Sequence, residues 1–201
     1  ERPVMLIGGG VISADAEYDA MYLCEKMHIP VVSTLMGLGA ISAYRSLFLG
    51  MTGLHGHERA NNAVKEADLI LLSMGSVFTS IIPNLICEEI VEAIDSSKGK
   101  IMYVCNMVTQ PGETDKFKVS DHVYLLNLYL GKRKIDVVVA NDGKIDEEMA
   151  KRYESLEQKD PVELDKKETK KFVKKVISGD YVTVKNNLLR HNVLKLSMHI
   201  F

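Results

Sequence analysis

Residues Leu69-Ile-Leu-Leu-Ser-Met74 form a short, nearly continuous apolar run that stops abruptly at Gly75-Ser76. A run of this length with no polar alternation suits a strand buried on both faces of a parallel sheet. Glycine admits the tight turn that must follow, and a serine beyond a strand can cap the next helix. The stretch therefore predicts strand, small-residue turn and helix, with ligand-sized space where the strand ends.

The same unit opens the chain. Pro3–Ile7 reads as an apolar strand running into the turn Gly8-Gly9-Gly10, and Glu17–Met27 carries helical spacing of apolar and charged residues. Further strands are expected at 29–33, near 47–51, and at 69–74, 100–105 and 134–140, with a short one at Phe172–Ile177. Helices are expected at 58–66, over Ile86–Ile94, at 120–130, at 146–158 and at the C-terminus. On the helix over Ile86–Ile94, Ile86, Ile90, Val91 and Ile94 are expected inward, and on the C-terminal helix Val193, Leu194, Leu196 and Ile200. The predicted fold class is α/β: one Rossmann-like, doubly wound, mainly parallel sheet over residues 1–201, with helices on both faces in three layers.

Composition narrows the function classes. Hydrophobic residues make up 46% of the 201 residues, enough for a sizeable core. A net charge of −2 gives no basic footprint for nucleic acid. No apolar run reaches the ~18 residues of a membrane span, and no export signal opens the chain, so a cytoplasmic location is expected. Cys24, Cys87 and Cys105 are widely spaced in apolar segments and read as buried free thiols. His55 and His57 flank a glycine without a carboxylate or cysteine cluster, so no metal site is expected.

The loops after the strands hold the candidate ligand contacts, because ligands of open α/β sheets bind at the strands' C-terminal ends. Gly8, Gly9 and Gly10 either let backbone approach a phosphate or only make a tight turn. Gly75 and Ser76 lie beyond Leu69–Met74. The polar loop Asn106–Asp115 contributes Asn106, Thr109, Gln110, Gly112 and Glu113. Asp121 and His122 fit caps and first-turn residues better than a catalytic pair. With Glu113 they are the one cluster an enzyme would draw on, and no catalytic residue is expected. The lysines between 166 and 175 read as a solvated face, with an anionic partner as the minor reading.

Two resemblances follow from the motifs. Arg-Pro-Val-Met-Leu-Ile-Gly-Gly-Gly, Ile-Pro-Val-Val-Ser-Thr-Leu-Met-Gly-Leu-Gly-Ala, Leu-Gly-Met-Thr-Gly-Leu-His-Gly and Ala-Asp-Leu-Ile-Leu, in order over residues 1–77, resemble the central domain of thiamine-diphosphate-dependent enzymes of the acetolactate synthase type. In those synthases this Rossmann-like domain holds FAD. The resemblance places FAD-contacting positions at Gly8, Gly9, Gly10, Thr34, Leu35, Leu54, His55 and Gly75. Phe78-Thr-Ser-Ile-Ile-Pro-Asn-Leu, Tyr103-Val-Cys-Asn-Met-Val-Thr-Gln-Pro-Gly-Glu-Thr-Asp, Ser-Asp-His and Leu-Arg-His-Asn, over 78–201, resemble the C-terminal half of the YvcK-type gluconeogenesis factors, akin to the CofD phospholactate transferases. That resemblance implies a cytoplasmic protein that binds UDP-sugars.

Two resemblances that meet inside one βα turn, without a linker, suggest an engineered chimera whose fragments share a sheet and which carries no intact physiological reaction. The alternative is a nucleotide-binding module for FAD or a UDP-sugar, as a monomer or homodimer, with the glycine turn facing the Asn106–Thr114 loop.

Overall fold

The structure, a computed structural model, describes residues 3–13, 15–53, 55–152, 155, 158–185 and 188–200. Seven parallel strands form one sheet: β1 (Pro3–Ile7), β2 (Val31–Ser33), β3 (Phe48–Met51), β4 (Leu69–Leu72), β5 (Lys100–Val104), β6 (Val137–Asn141) and β7 (Lys175–Gly179). Their order is β3-β2-β1-β4-β5-β6-β7. β4 is hydrogen-bonded on both sides, with Val4 opposite Ile70 and Leu72 opposite Tyr103, so segments on either side of residue 77 belong to one layer.

The period-two alternation of β5 shows why both faces must be covered. Ile101 and Tyr103 enter a large core with Ile90, Ile94, Val123 and Leu126. Met102 and Val104 face the other way, packing with Val139, Tyr181 and Leu196. The first face is closed by a π-helical turn at Val77–Ile81 that continues into α4 (Ile82–Leu85), followed by α5 (Glu88–Ser96) and α6 (Val119–Tyr129). At the other end of the sheet, α1 (Gly9–Ser13) and α2 (Glu17–Met27) follow β1. α3 (Glu58–Glu66) buries Ala60 and Val64 beside Val4 and Val32. The remaining helices are α7 (Glu147–Arg152), α8 (Lys166–Thr169) and α9 (Val193–Ile200).

Several boundaries differ from expectation for physical reasons. β4 ends at Leu72, because Ser73 and Met74 already turn out of the ladder. β6 starts at Val137, since Asp136 anchors the strand entry. Its carboxylate accepts from Ile101 N at 2.9 Å and from Lys174 Nζ at 2.7 Å, and Arg133 lies 3.6 Å away. The short strand expected at Phe172–Ile177 is β7, shifted to Lys175–Gly179. Ile86 is exposed because it falls in the joint between α4 and α5, whereas Ile90 and Ile94 are buried. In α9 Leu196 is buried and Leu194 is exposed; the side chains of Val193 and Ile200 lie outside the described residues. α7 covers less than the expected 146–158, of which 153, 154, 156 and 157 lie outside the described residues. An antiparallel hairpin, β8 (Val182–Lys185) with β9 (Leu188–His191), was not expected.

Candidate functional site

The chain runs outward from β1 through β2 to β3, then returns to set β4 against the free side of β1. Connections leaving β1 and β4 therefore depart in opposite directions, and a crevice opens beyond their C-terminal ends. Three segments meet at it.

The first is the glycine turn. A side chain on Gly8 would place its first carbon 3.2 Å from Asn84 Nδ2 and 3.6 Å from Thr34 Oγ1, and one on Gly10 would meet Ser80 Oγ at 2.9 Å. The turn is thus overlaid by the helical segment after β4, whose Asn84 is held in place by donating from Nδ2 to Ser80 O at 2.6 Å.

The second is the end of β2. Thr34 N donates to Ile7 O at 2.9 Å, which ties the loop to β1. Its hydroxyl is buried and has no hydrogen-bond partner among the described residues, and neither has the hydroxyl of Ser33. Leu35, beside it, is largely exposed.

The third is the pair of loops after β4 and β5, joined by two hydrogen bonds. Asn106 Nδ2 donates to Gly75 O at 2.8 Å, and Ser76 Oγ donates to Glu113 Oε2 at 2.5 Å. Ser76 Oγ also accepts from Thr79 N at 3.2 Å. The β5 loop is internally braced. Thr114 N and Glu113 N donate to Gln110 O, and Gly112 N donates to Asp115 Oδ2.

The sequence candidates accordingly separate. Gly8, Gly9, Gly10, Thr34, Gly75, Ser76, Asn106 and Glu113 lie at or beyond the C-terminal ends of β1, β2, β4 and β5. Thr109 is fully buried and pins the distant segment at Asp160, accepting from Asp160 N through its hydroxyl and donating its own N–H to Asp160 O, both at 2.8 Å. Gln110 and Gly112 shape the loop. His55 follows β3, the edge strand, and is exposed. Leu54 lies outside the described residues. Asp121 caps α6, accepting from Lys118 N at 2.8 Å. His122 is buried edge-on to Phe117 with Nδ1 on Lys118 O, so Glu113, Asp121 and His122 have separate partners. Burial holds the His122 imidazole below its usual range and pushes the Cys105 thiol up to about 12 and the Cys24 thiol to about 11. Neither thiol is a ready nucleophile.

Sequence reasoning missed Ser80 and Asn84. Their position over the glycine turn depends on the π-helical turn at Val77–Ile81, for which the composition carries no signal. It also missed the return of the C-terminal hairpin, whose His191 brings Nε2 within 3.4 Å of Cys105 O at the end of β5.

A model of the family described as 2-phospho-L-lactate transferase CofD matches residues 33–182, well over half of the chain. The chain belongs to the CofD family. The gluconeogenesis factor of Bacillus subtilis is 39% identical over 136 residues, covering 68% of this chain and 43% of that protein. The crystal structure of a UPF0052-family protein from Bacillus halodurans superposes with a TM-score of 0.68 at 32% identity, covering 73% of this chain and 47% of that one. The chain thus spans less than half the length of these relatives.

These matches correct the chimera reading. The CofD match begins at Ser33 and continues through Val77 and Phe78, so the supposed join lies inside one family's domain. The acetolactate synthase resemblance of residues 1–77 finds no support in the comparisons. A glycine turn after an apolar strand is common to many Rossmann-like sheets, and it marks the fold rather than the family. The expectation of an engineered protein outside any enzyme family is overturned as well, since the CofD model is that of a transferase. No described helix is long and apolar enough to cross a membrane.

Proposed function

We propose that the crevice between β1 and β4 binds a nucleoside-diphosphate-linked sugar, represented by UDP-N-acetylglucosamine. The observation that carries this reading is the Thr34 hydroxyl, buried without a partner beside Gly8 and Asn84. A buried hydroxyl left unpaired costs about 1–3 kcal/mol. Its retention at a strand end next to a close-packed glycine turn is accounted for by a ligand oxygen that accepts from it. The family supports a phosphate-bearing ligand, its model being named for a transferase of a phosphorylated lactate. The resemblance to YvcK-type proteins supports a UDP-sugar over the FAD suggested by the other resemblance.

Titration calorimetry with UDP-N-acetylglucosamine, FAD and NAD tests the reading. Heat is expected with the UDP-sugar and not with the other two. In Thr34→Val, which keeps the shape and removes the hydroxyl, affinity falls about tenfold while the ligand-free protein melts no lower. Absence of heat with UDP-N-acetylglucosamine overturns the proposal.

A further inference from the structure

We infer that Glu113, presented through its bond to Ser76, recognises the hydroxyl-bearing sugar end of the ligand, which leaves the phosphates to the Gly8 and Thr34 side of the crevice. The inference rests on the proposed function and adds a direction to it. It follows from counting donors and acceptors where the β4 and β5 loops meet. A serine hydroxyl has one proton to donate and two lone pairs. The proton of Ser76 goes to Glu113 Oε2 at 2.5 Å, and one lone pair takes Thr79 N–H at 3.2 Å. What Ser76 retains is an acceptor. An ionised Glu113 is acceptor-only on both oxygens. Asn106 Nδ2 commits one of its two protons to Gly75 O, so the charged acceptor of this corner is the Glu113 carboxylate.

The Glu113 carboxylate and the remaining Ser76 lone pair therefore disfavour phosphate oxygens beside them, which are themselves acceptors, and attract groups that donate. A sugar carries several hydroxyl donors, and a diphosphate at neutral pH carries essentially none. At the other end, the buried Thr34 hydroxyl still has its proton to give. The polarity of the crevice thus runs from donor at β2 and β1 to acceptor at the β4–β5 junction. Glu113 is held in that role by its own loop, through Glu113 N on Gln110 O and the brace between Gly112 and Asp115.

The test compares affinities for UDP and UDP-N-acetylglucosamine in wild type, Glu113→Gln and Glu113→Asp, with thermal melting as a check on folding. Wild type is expected to bind the UDP-sugar more tightly than UDP. Glu113→Gln exchanges one acceptor oxygen for a donor, so that advantage shrinks about tenfold, as for loss of one hydrogen bond to a charged acceptor, while affinity for UDP is held. Glu113→Asp keeps the charge and restores part of the advantage. Asp115→Asn weakens the brace beneath Glu113 without removing its carboxylate, so the advantage shrinks less than in Glu113→Gln. If Glu113→Gln weakens both ligands equally, or tightens UDP by relieving repulsion of its phosphates, the assigned direction is wrong although the site stands. If wild type binds neither ligand, the site and its direction fall together.

Discussion

The side-chain amide of Asn106, at the end of β5, donates to the carbonyl of Gly75, at the end of β4, across 2.8 Å. The two loops this bond joins come from adjacent strands, and the bond from Ser76 to Glu113 ties them a second time. Asn106→Ala removes the donor and leaves Gly75 O without that partner. A loss of about 1 kcal/mol in unfolding free energy is expected by urea titration. Hydrogen exchange is expected to accelerate in residues 73–79 and not in β5 itself.

Asp136 gathers Ile101 N, Lys174 Nζ and Arg133 at the entry to β6. Burial works to raise its pKa, but the Lys174 hydrogen bond, the Ile101 amide and the charges of Lys174 and Arg133 outweigh it, and the carboxyl lies below its usual value. Because the folded pKa is depressed, the contribution is complete above the unfolded value near 4 and is lost as pH falls through the folded one. Asp136→Asn is expected to cost about 2 kcal/mol at pH 7. The difference from wild type should narrow at pH 3, which melting curves at the two pH values measure.

His122 and His191 act at milder pH. Burial is the main cause that lowers both. The unfolded chain therefore takes up protons first, near pH 6.5, and stability falls as pH drops below that value. A fall in melting temperature from pH 7.5 to pH 5 is expected, and a His122→Gln variant should show a shallower decline. An unchanged slope in that variant would remove His122 as a contributor.

Gly10 and Ser80 are coupled by contact. A methyl at Gly10 would lie 2.9 Å from Ser80 Oγ and 3.1 Å from its Cβ. Gly10→Ala is expected to destabilise by about 1–2 kcal/mol through overpacking. Ser80→Gly makes room for the methyl, so the double variant should lose about 1 kcal/mol less than the two single losses summed. Additive losses would mean that the helical segment shifts away from the turn.

The sheet was legible because its strands are apolar and end in glycine or polar turns. Leu69–Leu72 and Lys100–Val104 lie within the short apolar runs expected as strands, and Val137–Asn141 starts three residues inside its run and passes its end by one. Family membership was legible where the motifs are rare, as in Thr109-Gln-Pro-Gly-Glu113, and misread where they are generic. An apolar strand followed by Gly8-Gly9-Gly10 satisfies the steric needs of many Rossmann-like proteins and therefore discriminates poorly among them. The roles of individual loop residues were less visible, because they depend on partners remote in sequence. Thr109 resembles a ligand contact by position, and its hydroxyl also accepts from Asp160 N, a partner remote in sequence. Nothing local to Thr34 reveals that its hydroxyl is buried with no partner.

The central position of β4 has a consequence for how the protein is made. Pro3 and Val4 find their inner neighbours only at Leu69 and Ile70. A nascent chain must therefore carry β1 with one edge bare while two further strands and their helices are translated. Such long-range parallel pairing is slow, and an open apolar edge is the surface on which chains misassociate. Assembly of this sheet is expected to demand more of the cell's chaperones than a sheet of sequence-adjacent strands would.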